Sequence, residues 1–216
     1  MGNLRARRTP VNAVSASPWL KPRDRARARD QKREAVLTAA AQLFSAQGFY
    51  NTTLTDIAQQ LHITKPALYH YFSSKDAILL ECVRSALDAV EEEYARALAQ
   101  GETGLAKLAH FLIWYAENMT TVFGACLVRV ADQDLEPETQ RELNAAKKIV
   151  DGCFRKLIEQ GIADKSIAAC DSRIAAFTAA GAVNWIGHWW KPGARWSARE
   201  AAERVVSCVL NGLAAK

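Results

Sequence analysis

The sequence predicts an all-α protein, nine helices in two domains, and three observations predict it. Half of the 216 residues are hydrophobic, while glycine and proline are few, at 11 and 6. Apolar residues recur at i, i+3, i+4 and i+7 over most long stretches, which places them on one face of a helix. Capping and stop residues stand where those runs begin and end, and no run has the character of a strand.

The chain opens on a segment of different composition. Residues 1–29 mix Arg, Pro, Ser and Asn without apolar periodicity and read as a disordered arm. The arm holds eight basic residues (Arg5, Arg7, Arg8, Lys21, Arg23, Arg25, Arg27, Arg29) against one acid, Asp24. Subtracting these from totals of 28 basic and 23 acidic residues leaves 20 and 22, so the body is near neutral and the arm carries the excess. A cationic arm is drawn to nucleic acid or to anionic lipid, or it serves only as a solvated tail.

The helices follow in order. Asp30 is placed to cap a first helix through "QKREAVLTAAAQLFSAQ", where Val36, Ala40, Leu43, Phe44 and Gln47 share a face, and Gly48 follows as a stop. Thr53 caps a second helix carrying Leu54, Ile57, Ala58 and Leu61. After "HI", Thr64 caps a third, 65–72, with Pro66 in its first turn and Leu68 and Phe72 pointing inward. Ser74 caps a fourth, which runs to about Gln100 with Asp76 near its positive end. "GETG" breaks the pattern, and further helices read at about 104–118, 120–131, 138–161, 172–190 and 198–214. Asp171 caps the fourth of these five, "KPGAR" ends it, and Ser197 with Glu200 forms a capping box for the last.

Several function classes recede. No apolar run approaches the roughly 18 residues that span a bilayer, and the N-terminus lacks the apolar stretch of a secretory signal. A cytoplasmic protein without membrane partners is expected. The five cysteines (Cys82, Cys126, Cys153, Cys170, Cys208) are odd in number, spread out and free of C-x-x-C spacing. They read as buried thiols rather than disulfides or zinc ligands. The four histidines (His62, His70, His110, His188) show no metal spacing. No Walker loop, G-x-G-x-x-G, H-E-x-x-H or G-x-S-x-G appears, so no enzyme, metal or cofactor is expected. A helical protein using its basic arm on a membrane is a rival reading, but the arm lacks an amphipathic stripe.

The chemistry concentrates in "TLTDIAQQLHITKPALYHYFSSKDAIL". Three helices over 31–72, the last two short and joined by a tight turn, are the layout of a helix-turn-helix DNA reader. Lys65, Tyr69 and His70 share the polar face of the third helix, where they can meet phosphates and base edges in a major groove. Thr53, Thr55 and Thr64 bring hydroxyls and helix-start N–H groups to the DNA backbone, and Lys75 stands where it can clamp a phosphate. A plain helical bundle with a wet face would share the generic pattern, but not the full string.

That string, from "LFSAQGF" through "TTLTDIA" and "ALYHYF" to "SKDAIL", resembles the DNA-binding domain of TetR-type (tetracycline-repressor-like) regulators over about residues 32–80. The resemblance implies DNA contacts by Thr53, Thr55, Thr64, Lys65, Ala67, Tyr69, His70 and Lys75. It also implies a homodimer that binds a near-palindromic double-stranded operator. In this plan 30–80 is the helix-turn-helix domain and 81–216 binds effector and partner subunit.

The second domain is expected to hold a small-molecule site. "HFLIWYAEN" offers Phe111, Trp114, Tyr115 and Asn118, and "AAFTAAGAVNWIGHWW" offers Phe177, Gly181, Asn184 and His188 near one stripe. An apolar cavity with a few fixed polar groups suits a small ligand, although each aromatic is also what a core requires. The last two helices are apolar on more than one face and are expected to pair with a second subunit. "VNWIGHWWKPGARWSAREAAERVVSCVLNGL" resembles a TetR subgroup whose members respond to coenzyme A thioesters. Trp190, Lys191 and Ala194 depart from that subgroup's Tyr, Arg and Gly. Arg129, Lys147, Lys148 and Arg155 are candidates for the coenzyme's phosphates, or are solvated surface charges. The expected function is a ligand-responsive repressor, with an activator as the alternative.

Overall fold

The computed structural model describes residues 22–130 and 135–212. Among these the chain forms ten helical segments and no strand. They are α1 (Pro22–Gln47), α2 (Leu54–Gln60), α3 (Lys65–Tyr69), α4 (Lys75–Gln100), α5 (Gly104–Asn118), α6 (Val122–Arg129), α7 (Pro137–Ala163), α8 (Ser172–Asn184), α9 (Ile186–Trp189) and α10 (Ala198–Asn211). The helix expected over 172–190 is α8 and α9 together. The two are parted only at Trp185, whose backbone keeps helical angles.

The expected caps form. Thr53 and Asp56 make a reciprocal capping box on α2, and Ser197 and Glu200 make one on α10. Thr64, Ser74 and Asp171 accept from the first turns of α3, α4 and α8. Gly48 ends α1 with φ +87°, and its N–H reaches the Phe44 carbonyl at 3.1 Å. The turn between α2 and α3 has His62 at φ 54°, a left-handed angle that a non-glycine residue adopts at some cost.

One boundary is corrected. α1 begins at Pro22, so residues 22–29 are helical, and Asp30 lies inside the helix instead of capping it. Arg and Ala are strong helix formers, and Asp24 in the first turn complements the helix dipole. No apolar face marked this extension because it touches nothing: Asp24, Ala26, Arg27 and Arg29 are exposed. The rest of the arm, 1–21, lies outside the described residues, as do the expected helix ends at 131 and 213–214.

Two apolar clusters organise the molecule. The first gathers Val36, Ala40 and Phe44 of α1, Ile57 of α2, Leu68 of α3 and Ile78 and Cys82 of α4. Cys126 and Val130 at α6 belong to it as well. The second is centred on α5, which packs on α4, α7, α8 and α10. Its middle is an aromatic group: Phe111 lies 5.2 Å from Phe154 and 5.9 Å from Tyr94, and Tyr115 meets Phe154 edge-on at 5.1 Å.

The start of α5 is bolted to the end of α7. The Gly104 N–H donates to Asp164 Oδ2 at 2.6 Å and the Leu105 N–H to Ser166 Oγ at 3.0 Å. The Ser166 hydroxyl foremost, then the Gly104 and Ser166 N–H groups, hold the Asp164 carboxyl below its ordinary value of 3.8. The folded state thus prefers the ionised form. The stability this gives is complete above the ordinary value and is lost as pH falls through the lower folded value. Urea midpoints should therefore drop on acidification below about pH 4, and Asp164→Asn should flatten that drop. An unchanged acid limb in the variant would count against this role.

Three of the five cysteines, Cys82, Cys126 and Cys153, are buried, and burial pushes the first two thiols up to about 12. Cys170 and Cys208 are exposed, contrary to expectation. Cys170 lies in the connection before α8, and Cys208 is on the outer side of α10.

Candidate functional site

The helix-turn-helix is built from short helices clamped at their ends. In α3, Leu68 is fully buried, while Lys65, Tyr69 and His70 are exposed. The helix is shorter than expected and stops at Tyr69, with His70 as its C-cap. The Lys65 ammonium lies 5.9 Å from the centre of the Tyr69 ring, one turn away. Tyr69 is 50% exposed, a large fraction for an aromatic residue whose neighbour on the helix is pure core. Thr55 and Thr64 are also exposed, and Ala67 is half-buried. Thr53 is exposed, but its hydroxyl donates to Asp56 at 2.8 Å, so only its acceptor capacity is left for another partner.

Lys75 does not stand free for a phosphate. Its ammonium donates to the carbonyls of Phe49, Tyr50 and Thr52 at 2.9, 3.1 and 3.3 Å. It also sits 4.5 Å above the Phe49 ring. Three protons meet three acceptors, so Lys75 pins the α1–α2 connection to the start of α4.

Sequence reading missed a second pin, Arg33. Its guanidinium lies 4.4 Å over the Phe72 ring, donates to the Tyr71 carbonyl at 3.3 Å and pairs with Glu81 at 2.8 Å. It ties α1 to the turn that leaves α3. An arginine in an otherwise apolar-periodic helix, within a charge-rich stretch, gave no signal of this.

The second site is a cavity of about 460 Å³ enclosed by α4, α5, α6, α7, α8 and α9. Six of the eight expected effector residues line it: Tyr115, Asn118, Phe177, Gly181, Asn184 and His188. Phe111 and Trp114 do not. Phe111 is fully buried among the aromatic group, and Trp114 stacks on it at 6.3 Å, so both serve the core behind the cavity. α4 adds Val83, Ala86, Leu87 and Val90, a stripe at i, i+3, i+4 and i+7 that could have been read from the sequence. α6 adds Gly124, Leu127 and Val128, and α7 adds Leu143, Val150, Asp151 and Phe154.

The polar groups of the wall are few. Burial raises the Tyr115 hydroxyl to about 12, which keeps it neutral. Asp151 Oδ1 and Asn184 Oδ1 are shut off from solvent and have no hydrogen-bond partner. Such an orphan costs about 1–3 kcal/mol until a donor reaches it. Of the four cations considered for coenzyme phosphates, only Lys147 lines the cavity. Arg129 instead donates to the Ser45 carbonyl at 3.3 Å, and Arg155 sits 3.7 Å from Glu159. Lys148 is exposed on α7.

α6 joins the two sites. Leu127 and Val128 face the cavity, while Cys126 lies in the first cluster against α1, and Val130 touches both. The other outward feature is an apolar strip on α8 and beyond, where Ile174, Phe177 and Trp185 are 61%, 49% and 63% exposed. Among the described residues no single helix is long and apolar enough to cross a membrane.

Comparison with known proteins adds the following. Residues 36–82 match the model of bacterial regulatory proteins of the tetR family, and residues 101–213 match that of the tetracyclin repressor-like C-terminal domain. The transcriptional regulator HbdR of Aromatoleum sp. (strain CIB) is 30% identical over 148 residues, 65% of this chain and 58% of that protein. The transcriptional repressor KstR2 of Rhodococcus jostii (strain RHA1) is 27% identical over 198 residues, 89% of this chain and 96% of that one. The solved structure of AibR in complex with isovaleryl coenzyme A and operator DNA superposes with a TM-score of 0.71 at 23% identity. It covers 82% of this chain and 96% of that one, and establishes likeness of fold.

Proposed function

Because this chain belongs to the TetR family of bacterial regulatory proteins and is a DNA-binding transcriptional regulator, we propose that it acts in the cytoplasm as a homodimeric repressor. In this reading it leaves a palindromic operator when an apolar effector fills the α4–α9 cavity. Residues 30–80 read the DNA, and residues 81–216 bind effector and partner. The observation that carries the proposal is α6, which is cavity wall on one side and part of the α1 core on the other.

A ligand that shifts Leu127 and Val128 pulls on Cys126, on Val130 and on the Arg129–Ser45 bond at the end of α1. Lys75 and Arg33 pin α1 and its connection to α4 and to the exit of α3, so α3 moves with them. Displacing one reading helix of a dimer spoils the spacing of about 34–36 Å that two half-sites demand. A coupling of roughly 1–3 kcal/mol is enough to release an operator at cellular concentrations.

The exposed strip of α8, together with α10, supplies the dimer surface in this reading. Ile174, Phe177 and Trp185 would otherwise leave a large apolar patch in water. The effector class we favour is an acyl thioester of coenzyme A. Support comes from the apolar cavity and from the relation to AibR, which was solved with such a ligand.

Selection of random duplex DNA on the purified chain tests the proposal directly. A two-fold symmetric motif is expected, and acyl-coenzyme A should release the protein from it. A folded, dimeric protein that enriches no motif would overturn the operator reading.

A further inference from the structure

We propose that the α7–α8 wall of the cavity selects ligands that bring hydrogen-bond donors and rejects a free carboxylate. Among acyl molecules it would therefore accept the amide-bearing arm of a thioester and refuse the parent fatty acid. The inference rests on the cavity being the effector site.

The wall is apolar except for a small set of groups, of which Asp151 on α7 and Asn184 on α8 carry unmatched oxygens. A carboxylate has acceptors only, and so does the carbonyl end of an amide. What is missing at this wall is therefore a donor, N–H or O–H, from the occupant. A small turn of either side chain brings its orphan oxygen to a ligand group in the cavity that both residues line.

Charge points the same way. Asp151 presents a negative group, and a ligand carboxylate would set a second one beside it without any proton to share. The cation nearest in sequence, Lys147, lies one helical turn from Asp151 and already has a partner. His188 is exposed and half a helix away from Ile174's end of the strip, so it belongs to the rim and not to this wall. The amide N–H groups of a pantetheine arm supply the donors and bring no charge. The acyl chain then lies among Leu87, Val90, Met119, Leu127 and Phe154.

The test is calorimetric titration of the full chain with octanamide, octanoate and octanoyl-coenzyme A. Octanamide and octanoyl-coenzyme A should bind at least about tenfold more tightly than octanoate, the difference one well-made donor interaction gives. Asp151→Asn keeps the side-chain shape and removes the charge, so octanoate should gain and the gap should narrow. Asn184→Asp should widen it. Octanoate binding as tightly as octanamide, or a gap unmoved by both variants, would overturn the inference. A preference for donors without operator release by octanoyl-coenzyme A would leave the selectivity standing and remove the effector reading. Binding of none of the three would remove both.

Discussion

Tyr69→Ala and Lys65→Ala should each weaken operator binding by about 10- to 100-fold, the roughly 1–3 kcal/mol of a good groove contact. Both side chains are exposed on the short helix whose inner residue, Leu68, is fully buried. Removing them leaves the first apolar cluster untouched, so helicity and dimerisation should match the parent protein. The two variants should differ in their response to salt. Loss of the Lys65 charge should lower the slope of log affinity against log salt by about one, while loss of Tyr69 should leave it unchanged. Anisotropy titrations on the selected operator at several salt concentrations measure both quantities. Full affinity in either variant would take that residue out of the interface. Leu68→Ala is the contrasting case: it opens a cavity costing about 2–5 kcal/mol and should fail by unfolding.

Gly104→Ala should destabilise the chain by about 3 kcal/mol, the upper end of what an overpacked site costs. A Cβ on Gly104 would lie 2.0 Å from the Gly161 nitrogen and 2.3 Å from its Cα. The obstruction is backbone, so no side chain can turn aside. α5 or α7 must move, and with it the pair of bonds from Gly104 and Leu105 to Asp164 and Ser166. The same substitution at Gly152, where a Cβ meets nothing within 4 Å, should stabilise α7 by about 0.5–1 kcal/mol through helix propensity. Urea denaturation of the two variants side by side gives opposite signs. A neutral Gly104→Ala would show that the α5–α7 contact yields more readily than its geometry indicates.

Part of the site was legible because its signals are local. Capping at Thr53, Thr64, Ser74, Asp171 and Ser197 depends on a side chain and an N–H two or three residues on, and these positions stand as expected. The same locality exposed Lys65, Tyr69 and His70 as a polar face opposite Leu68. Lys75 shows where locality ends. Its position at the start of α4 was evident, but its three carbonyl partners come from residues 49–52, more than twenty positions earlier. Phe111 and Trp114 failed as cavity residues for a similar reason. They share a helix with Tyr115 and Asn118, and only the packing of α4, α7 and α10 around α5 decides which side chains face the space and which fill the core.

The sequence by itself determined the helices, most of their ends, the short reading helix and the family of the chain, because each is set by the period of apolar residues and by caps within a turn. The helical run of 22–29 escaped it, since a helix that buries nothing leaves no period to read. Tertiary structure alone decided that α6 belongs to both clusters, that Arg33 and Lys75 act as pins, and that Asp151 and Asn184 share one cavity wall with unmatched oxygens. Those facts depend on which faces meet across the bundle, and side-chain contacts between helices far apart in sequence have no periodicity that a single chain can display.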